Sequence, residues 1–153
     1  MTAGSGSGDH DLNIVGSKLA ADGKLTLKAD GDVTIAEAAD TATLDTRLST
    51  KGGFLGTSEK TTTHLETTTA VGSAITGGGG VDIESGKDTV ISASKIEAGN
   101  EAGAANLNIT TKGDLIIASG KDTSAKDDKG SRSGFLSKGS SSYKSYDETT
   151  VAS

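Results

Sequence analysis

The fold of this chain is decided by the sequence GSKLAADGKLTLKADGDVTI, residues 16–35. Apolar side chains recur in it two positions apart, at Leu25 and Leu27 and again at Val33 and Ile35, with polar residues between them. Alternation of this kind places the apolar residues on one face of a β-strand. Because Gly/Asp/Ala turns separate the runs, the segment predicts several short strands in succession.

The same arrangement of three short runs occurs twice more, beginning at Val71 and at Ser92. A single copy cannot pair its own backbone groups or bury its few inward side chains, whereas stacked copies, about 4.8 Å apart, can do both. The repeat therefore predicts a solenoid with one copy per coil. The nine runs are residues 15–19, 23–27, 32–35, 71–75, 79–83, 88–91, 92–96, 105–109 and 114–117.

The composition agrees with a thin, repetitive structure. Of the 153 residues only 32% are hydrophobic and 3% aromatic, and there are 22 glycines, no cysteine and no proline. So little bulk excludes a wide globular core and leaves either a disordered chain or a core one side chain deep. The absence of proline favours the second, because a fold in which nearly every segment donates backbone N–H groups to a neighbouring strand excludes it.

Two stretches interrupt the repeat and resemble each other. Each contains a Gly-Phe-Leu tripeptide, at 53–55 and 134–136, and each ends in a Glu-Thr-Thr run. Threonine-rich flanks around a glycine-bearing middle predict a long hairpin. We therefore expect a flexible leader at 1–11 and one solenoid segment at 12–153, with coil strands at 12–35 and 71–117 and hairpin-like excursions at 36–70 and 118–152.

The excursions carry the candidate contact residues, because the two phenylalanines of the chain occupy equivalent points in them, each followed by leucine. One interpretation is that each tip folds back and buries its pair on the solenoid. The other is that the pairs are exposed anchors for a receptor or a membrane interface. Tyr143 and Tyr146 could extend that surface on the second excursion. The candidate residues are Phe54, Leu55, Phe135 and Leu136.

Nothing in the sequence indicates catalysis, a metal site or a cofactor. His10 lies in the leader and His64 on an outward or excursion strand, without metal-ligand spacing, and no serine has a nucleophile-elbow context. The glycine-rich stretch at 77–85 fails as a calcium-binding repeat, because Glu84 stands where a buried aliphatic is needed. The net charge of −6 disfavours nucleic acid as a partner, and we expect no small-molecule substrate.

The strings at 16–35 and 80–88 resemble the hemagglutinin repeats of filamentous hemagglutinin, and the resemblance covers residues 12–152. That family comprises large exoproteins of two-partner secretion in Gram-negative bacteria, among them adhesins and effectors of contact-dependent growth inhibition. The resemblance implies an all-β fold, a right-handed parallel β-helix with the two excursions attached. It also implies secretion through an outer-membrane transporter partner and a location at the bacterial cell surface.

On this resemblance we expect a non-catalytic stalk that presents repeated arms to the surface or outer membrane of a target cell. Its role would be toxin delivery in contact-dependent growth inhibition. A host-directed filamentous adhesin that binds glycan or protein is the alternative, and a passive spacer without a ligand is a third possibility.

Overall fold

A computed structural model describes residues 1–4, 10–52, 56–101, 103–134 and 138–151. Within these ranges the chain forms sixteen β-strands and no helix, which confirms the predicted all-β fold. The chain divides into two compact units. Unit 1 comprises residues 1–39, 70–121 and 150–153, and unit 2 comprises residues 40–69 and 122–149.

Unit 1 distributes successive short strands among three sheets of four strands each in the described ranges. From edge to edge, the first sheet contains β1 (Thr2–Ala3), β4 (Leu25–Ala29), β9 (Val81–Ser85) and β13 (Leu107–Thr111). The second contains β14 (Leu115–Ala118), β10 (Thr89–Ser92), β5 (Val33–Ala36) and β2 (Leu12–Val15). The third contains β12 (Gly103–Ala104), β11 (Lys95–Asn100), β8 (Ala74–Gly77) and β3 (Lys18–Ala21).

The strands of the first two sheets pair in parallel, and so do β3, β8 and β11 of the third. The third sheet is nevertheless mixed, because β12 pairs antiparallel with β11 through Asn100 and Gly103. The cause is local: the chain reverses after Asn100, in a stretch that the other repeats lack, and Gly99 adopts a φ of 110° there.

The core of unit 1 consists of aliphatic side chains aligned in register. In the second sheet Ile14, Ile35, Ile91 and Ile117 occupy one column. The first three are 4%, 0% and 4% exposed, whereas Ile117, in the edge strand β14, is 62% exposed. Thr89, which the alternation also predicts to point inward, is fully buried among these aliphatic residues.

Aspartates hold the turns that precede the strands of the second sheet. Oδ1 of Asp11 accepts from the backbone N–H of Asp32 at 2.7 Å, and Oδ1 of Asp32 accepts from that of Asp88 at 2.9 Å. Oδ1 of Asp88 then accepts from the N–H of Asp114 at 2.8 Å. Each carboxylate thus fixes the turn of the next layer. Gly31 is required beside this ladder, since an added Cβ would overlap the carboxylate of Asp11.

A buried serine makes the corresponding link ahead of the third sheet. Oγ of Ser73 accepts from the backbone N–H of Ser17 at 3.1 Å and donates to the carbonyl oxygen of Ala36 at 2.8 Å. The N–H of Ser73 donates in turn to Oγ of Ser94 at 3.1 Å. These hydrogen bonds satisfy buried backbone groups and join successive layers.

Unit 2 is built on a single sheet of four long strands in the order β16, β15, β7, β6. β7 and β15 pair antiparallel, from Thr68 opposite Thr123 to Ser58 opposite Ser133. The two predicted excursions therefore supply one adjacent strand pair each and join along β7 and β15, a joining that the sequence did not predict. The strands are β6 (Ala38–Gly52), β7 (Thr57–Val71), β15 (Gly120–Ser133) and β16 (Lys138–Val151).

Candidate functional site

The contact residues predicted from the sequence lie outside the described residues, so the structure does not place them. They are Phe54, Leu55, Phe135 and Leu136. The strands that flank them are described, and these strands form the sheet of unit 2. That sheet is the candidate functional surface.

One polar row crosses this sheet, with one side chain from each strand. The register places His64 of β7 opposite Asp127 of β15. On the β6 side, Nδ1–H of His64 donates to Oδ1 of Asp45 at 2.6 Å. On the β16 side, Nζ of Lys144 lies 3.5 Å from Oδ2 of Asp127. Acidic and basic side chains therefore alternate across all four strands.

The charges of this row act mainly on the imidazole. The hydrogen bond to Asp45 and the charge of Asp45 raise the pKa of His64, and the charges of Glu66 and Asp127 act in the same direction. The raised pKa favours the imidazolium form, so the row contains two positive groups, His64 and Lys144, and two negative groups, Asp45 and Asp127. Oδ1 of Asp127 is buried without a hydrogen-bond partner, so the cations near its other oxygen are what hold this carboxylate in place.

The opposite face of the sheet carries a different set of side chains. Nζ of Lys126 lies 2.6 Å from Oδ2 of Asp128, and hydrogen bonds from Lys126 and Thr63 lower the pKa of Asp128. Leu44 and Leu48, both exposed, fall on this face by strand alternation. This face also has a groove of about 280 Å³ near one end of the strands, lined mainly by Thr50, Thr57, Glu59 and Arg132.

The first face has a groove over Ala125. Ala125 lies opposite Glu66 of β7, and Tyr146 of β16 lines the other side. His64 and Lys144 line the groove one row further along the strands. The groove has a volume of about 330 Å³. It exists because a methyl group stands between larger side chains on both neighbouring strands.

The sequence allowed both tyrosines to extend one contact surface, but they do not lie on the same face. Tyr143 and Tyr146 are each 63% exposed. They are three positions apart in one strand, so alternation places them on opposite faces, and Tyr146 alone lines the groove. The hydroxyl of Tyr146 donates to Oε2 of Glu148 at 3.4 Å, on its own face.

The sequence indicated no site role for His64 and did not predict its partners. A hairpin closing around residues 53–55 brings position 45 opposite position 64, so Asp45 could have been found from the predicted hairpin alone. Asp127 could not, because its place beside His64 depends on the pairing of the two excursions.

No helix of the described residues is long and apolar enough to cross a membrane. Among the same residues, no group of three His, Cys, Asp or Glu side chains is arranged to hold a metal ion. Asp45, His64 and Asp127 form a line across three strands instead of converging on one point.

The sequence profile described as hemagglutinin repeat matches residues 1–134. No curated protein matches the chain, and no solved structure does.

Proposed function

Since the chain belongs to the hemagglutinin repeat family, we propose that it is a non-catalytic stalk segment of a large secreted bacterial exoprotein. The family is one of secreted or cell-surface, adhesin-like proteins and is associated with two-partner secretion transporters. In this proposal an outer-membrane transporter of that kind exports the chain. The exposed sheet of unit 2 then contacts the surface or outer membrane of a target cell, during toxin delivery in contact-dependent growth inhibition.

The stalk part of the proposal is that unit 1 is a right-handed parallel β-helix. Its support is the register: equivalent residues of successive repeats stand opposite each other in each sheet, as with Ile14, Ile35 and Ile91. The aspartate ladder likewise joins each layer to the next. Such stacking is additive, so further repeats lengthen a stalk without needing a wider core.

The contact part of the proposal rests on the pairing of the two excursions. β7 and β15 come from different repeats, yet they pair continuously from Ser58 to Thr68. Most side chains of the four long strands are exposed or half-buried, so the sheet adds little to an apolar core. A large exposed sheet that buries so little is well suited to contact with a partner.

The test is association of the fluorescently labelled chain with outer-membrane vesicles, compared between the wild type and the double variant Phe54→Ser/Phe135→Ser. We expect the double variant to lose association, because the proposal gives the two phenylalanine pairs the anchoring role. Leu44→Ser/Leu48→Ser, which removes two exposed leucines of β6, is the matched control and should retain it. Equal association of the wild type and the phenylalanine variant would remove the pairs from the proposal.

A host-directed adhesin that binds glycan or protein is the second candidate, favoured by the groove beside Tyr146 and the charged side chains Glu66 and Lys144 at its sides. It predicts binding to a glycan array that survives the Phe54→Ser/Phe135→Ser double change. A passive spacer predicts no binding in either assay.

A further inference from the structure

We infer that one end of the unit 2 face that carries His64 is a docking surface for the phosphate headgroups of an anionic membrane. This basic patch is the set of side chains on that face within residues 47–51, 58–62, 129–133 and 138–142. The inference deepens the proposed contact function and rests on it, because it names the chemistry by which the sheet would recognise a target-cell membrane.

The side chains of the basic patch share one face because the strand registers agree. The polar row through His64 defines that face on all four strands. Taking every second residue from this row, toward the ends of the strands that lead to the Gly-Phe-Leu tripeptides, gives three further rows. In the last of them, Oγ of Ser58 and Oγ of Ser133 lie 2.8 Å apart across β7 and β15, as this alternation requires.

Every side chain of the basic patch carries a hydrogen-bond donor. Five are basic and exposed, at least one on each strand, and every other position of the patch is serine or threonine. Guanidinium, ammonium and hydroxyl groups are the donors that proteins use to hold phosphate oxygens. The five basic residues are Arg47, Lys51, Lys60, Lys129 and Lys138.

The charge of the basic patch is opposite in sign to the net charge of −6 of the whole chain. Nζ of Lys129 lies 3.4 Å from Oδ2 of Asp127, which belongs to the neighbouring row. The other four cations form no ion pair within the part of the chain that the structure describes. Unpaired cations gathered on one surface raise the local potential, so a bound anion relieves their mutual repulsion.

The opposite face of the same stretches is neutral. Its two charged side chains are Arg132 and Glu59, whose Nη2 and Oε2 atoms lie 3.3 Å apart. The other positions of that face are glycine, serine, threonine and Leu48. The concentration of cations is therefore a property of one face and not of the sequence around the strand ends.

The arrangement of the cations suits a planar partner. Neighbouring strands are about 4.8 Å apart and same-face residues about 6.8 Å apart, so the basic patch spans roughly 14 Å in each direction. A membrane presents its phosphates in two dimensions, as the patch presents its donors. Single-stranded nucleic acid needs aromatic side chains for base stacking, and the positions of the patch contain none. A protein partner needs an apolar centre, which these positions also lack.

The position of the basic patch agrees with the anchoring role proposed for the phenylalanine pairs. Lys51 precedes Phe54 by three residues, and Lys138 follows Phe135 by three. An apolar anchor alone gives weak, reversible attachment to a membrane, whereas an anchor combined with a polybasic patch gives stable attachment. The basic patch supplies the second of these two components.

The experiment is cosedimentation of the full chain with vesicles, made either of phosphatidylcholine alone or of equal parts of phosphatidylcholine and phosphatidylglycerol. We expect stronger binding to the anionic vesicles, although the chain itself is anionic. The difference should vanish as salt rises from about 0.1 M to about 1 M, because the screening length falls from about 10 Å to about 3 Å. Equal binding to both kinds of vesicle at low salt would overturn the inference.

Two double variants with the same loss of charge locate the binding surface. Arg47→Gln/Lys60→Gln removes two cations of the basic patch. Since each basic residue near an anionic surface changes the affinity roughly fivefold, this variant should bind the anionic vesicles about 25-fold more weakly. Lys126→Gln/Arg132→Gln removes two cations from the opposite face and is the matched control, which should keep most of the affinity. Equal weakening by both would show that net charge alone acts and would overturn the patch.

Further measurements exclude loss of fold and a different ligand. Arg47→Lys/Lys60→Arg keeps both charges and should bind within about twofold of the wild type. Urea midpoints equal to that of the wild type would establish that a weakened variant is folded. Duplex DNA that displaces the chain from the vesicles at equal phosphate concentration would assign the patch to nucleic acid and overturn the membrane assignment.

The outcomes also separate this inference from the proposed function. Association with outer-membrane vesicles that Arg47→Gln/Lys60→Gln leaves unchanged would overturn the basic patch and leave the contact function standing. Selective binding to the phosphatidylglycerol vesicles without association with outer-membrane vesicles or cells would support the patch and overturn the contact function.

Discussion

Replacing Ile35 by Ala and Ile117 by Ala makes the same chemical change at two positions of one register column. The two residues align through Ile91 in the second sheet, but Ile35 is fully buried while Ile117 is 62% exposed. A comparison between them reports the effect of burial, because the residue type and the register column are the same, while Ile35 lies in the inner strand β5 and Ile117 in the edge strand β14.

The expected magnitudes follow from the exposed fractions. Ile35→Ala removes three buried carbon groups at about 0.8 kcal/mol each, roughly 2.4 kcal/mol, and the cavity left behind brings the loss to about 3–4 kcal/mol. At Ile117 only about two-fifths of the side chain is covered. Its loss should therefore be about 1 kcal/mol, with almost no cavity. The difference of about 2 kcal/mol corresponds to a roughly thirtyfold change in the unfolding constant.

The measurement is urea denaturation of both variants and the wild type, followed by circular dichroism. The slope of unfolding free energy against urea should stay constant, so that midpoints report stability directly. Ile35→Val, at about 1 kcal/mol, calibrates the scale. Equal losses for the two alanine variants would refute the reasoning, because they would mean that the edge strand β14 is covered in solution.

Three further predictions concern single side chains. Ala93 has a φ of 40° at the position equivalent to Gly16, so Ala93→Gly should raise the unfolding free energy by up to about 1 kcal/mol in urea denaturation, and a loss would contradict the strain. Ser73→Ala leaves the backbone N–H of Ser17 without its partner and removes one of two hydrogen bonds to the carbonyl oxygen of Ala36, so it should cost about 1–3 kcal/mol, measured by thermal unfolding, whereas a change near zero would show that water replaces the hydroxyl. The pKa of His64 is raised, so its protonation stabilises the folded state below the unfolded pKa of histidine, and this stabilisation is lost as pH rises through the folded pKa. Asp45→Asn should lower the pKa of His64 in an NMR titration. An unchanged pKa would show that this carboxylate does not act on the ring.

The short strands of unit 1 could be predicted from the sequence because the alternation that indicates a strand is a local pattern. Alternation at Leu25, Leu27, Val33 and Ile35 places these side chains toward one face whatever the rest of the chain does, and the structure forms strands over both pairs. The antiparallel strand β12 was not readable, since it depends on a reversal within one inserted stretch.

In the candidate site, too, the local features could be predicted from the sequence and the long-range ones could not. The sequence gives two excursions with strand-forming flanks, and it places His64 on one of them. It does not give the pairing of β7 with β15, because the two flanks have no apolar pattern that selects a partner. Hydrogen bonds between backbones 55 to 75 residues apart decide that pairing, and they alone bring Asp127 beside His64 and set Ala125 opposite Glu66.

The sequence by itself thus determined the all-β fold, the repeat and the absence of a wide core, because period-two alternation and turn residues act over a few positions. Only the tertiary structure decided which long strands pair and in which register, and therefore that Tyr146 lines a groove while Tyr143 does not. The physical reason is that strand register is a long-range property: a shift of one residue would move every side chain to the other face, and nothing local in these polar strands forbids it.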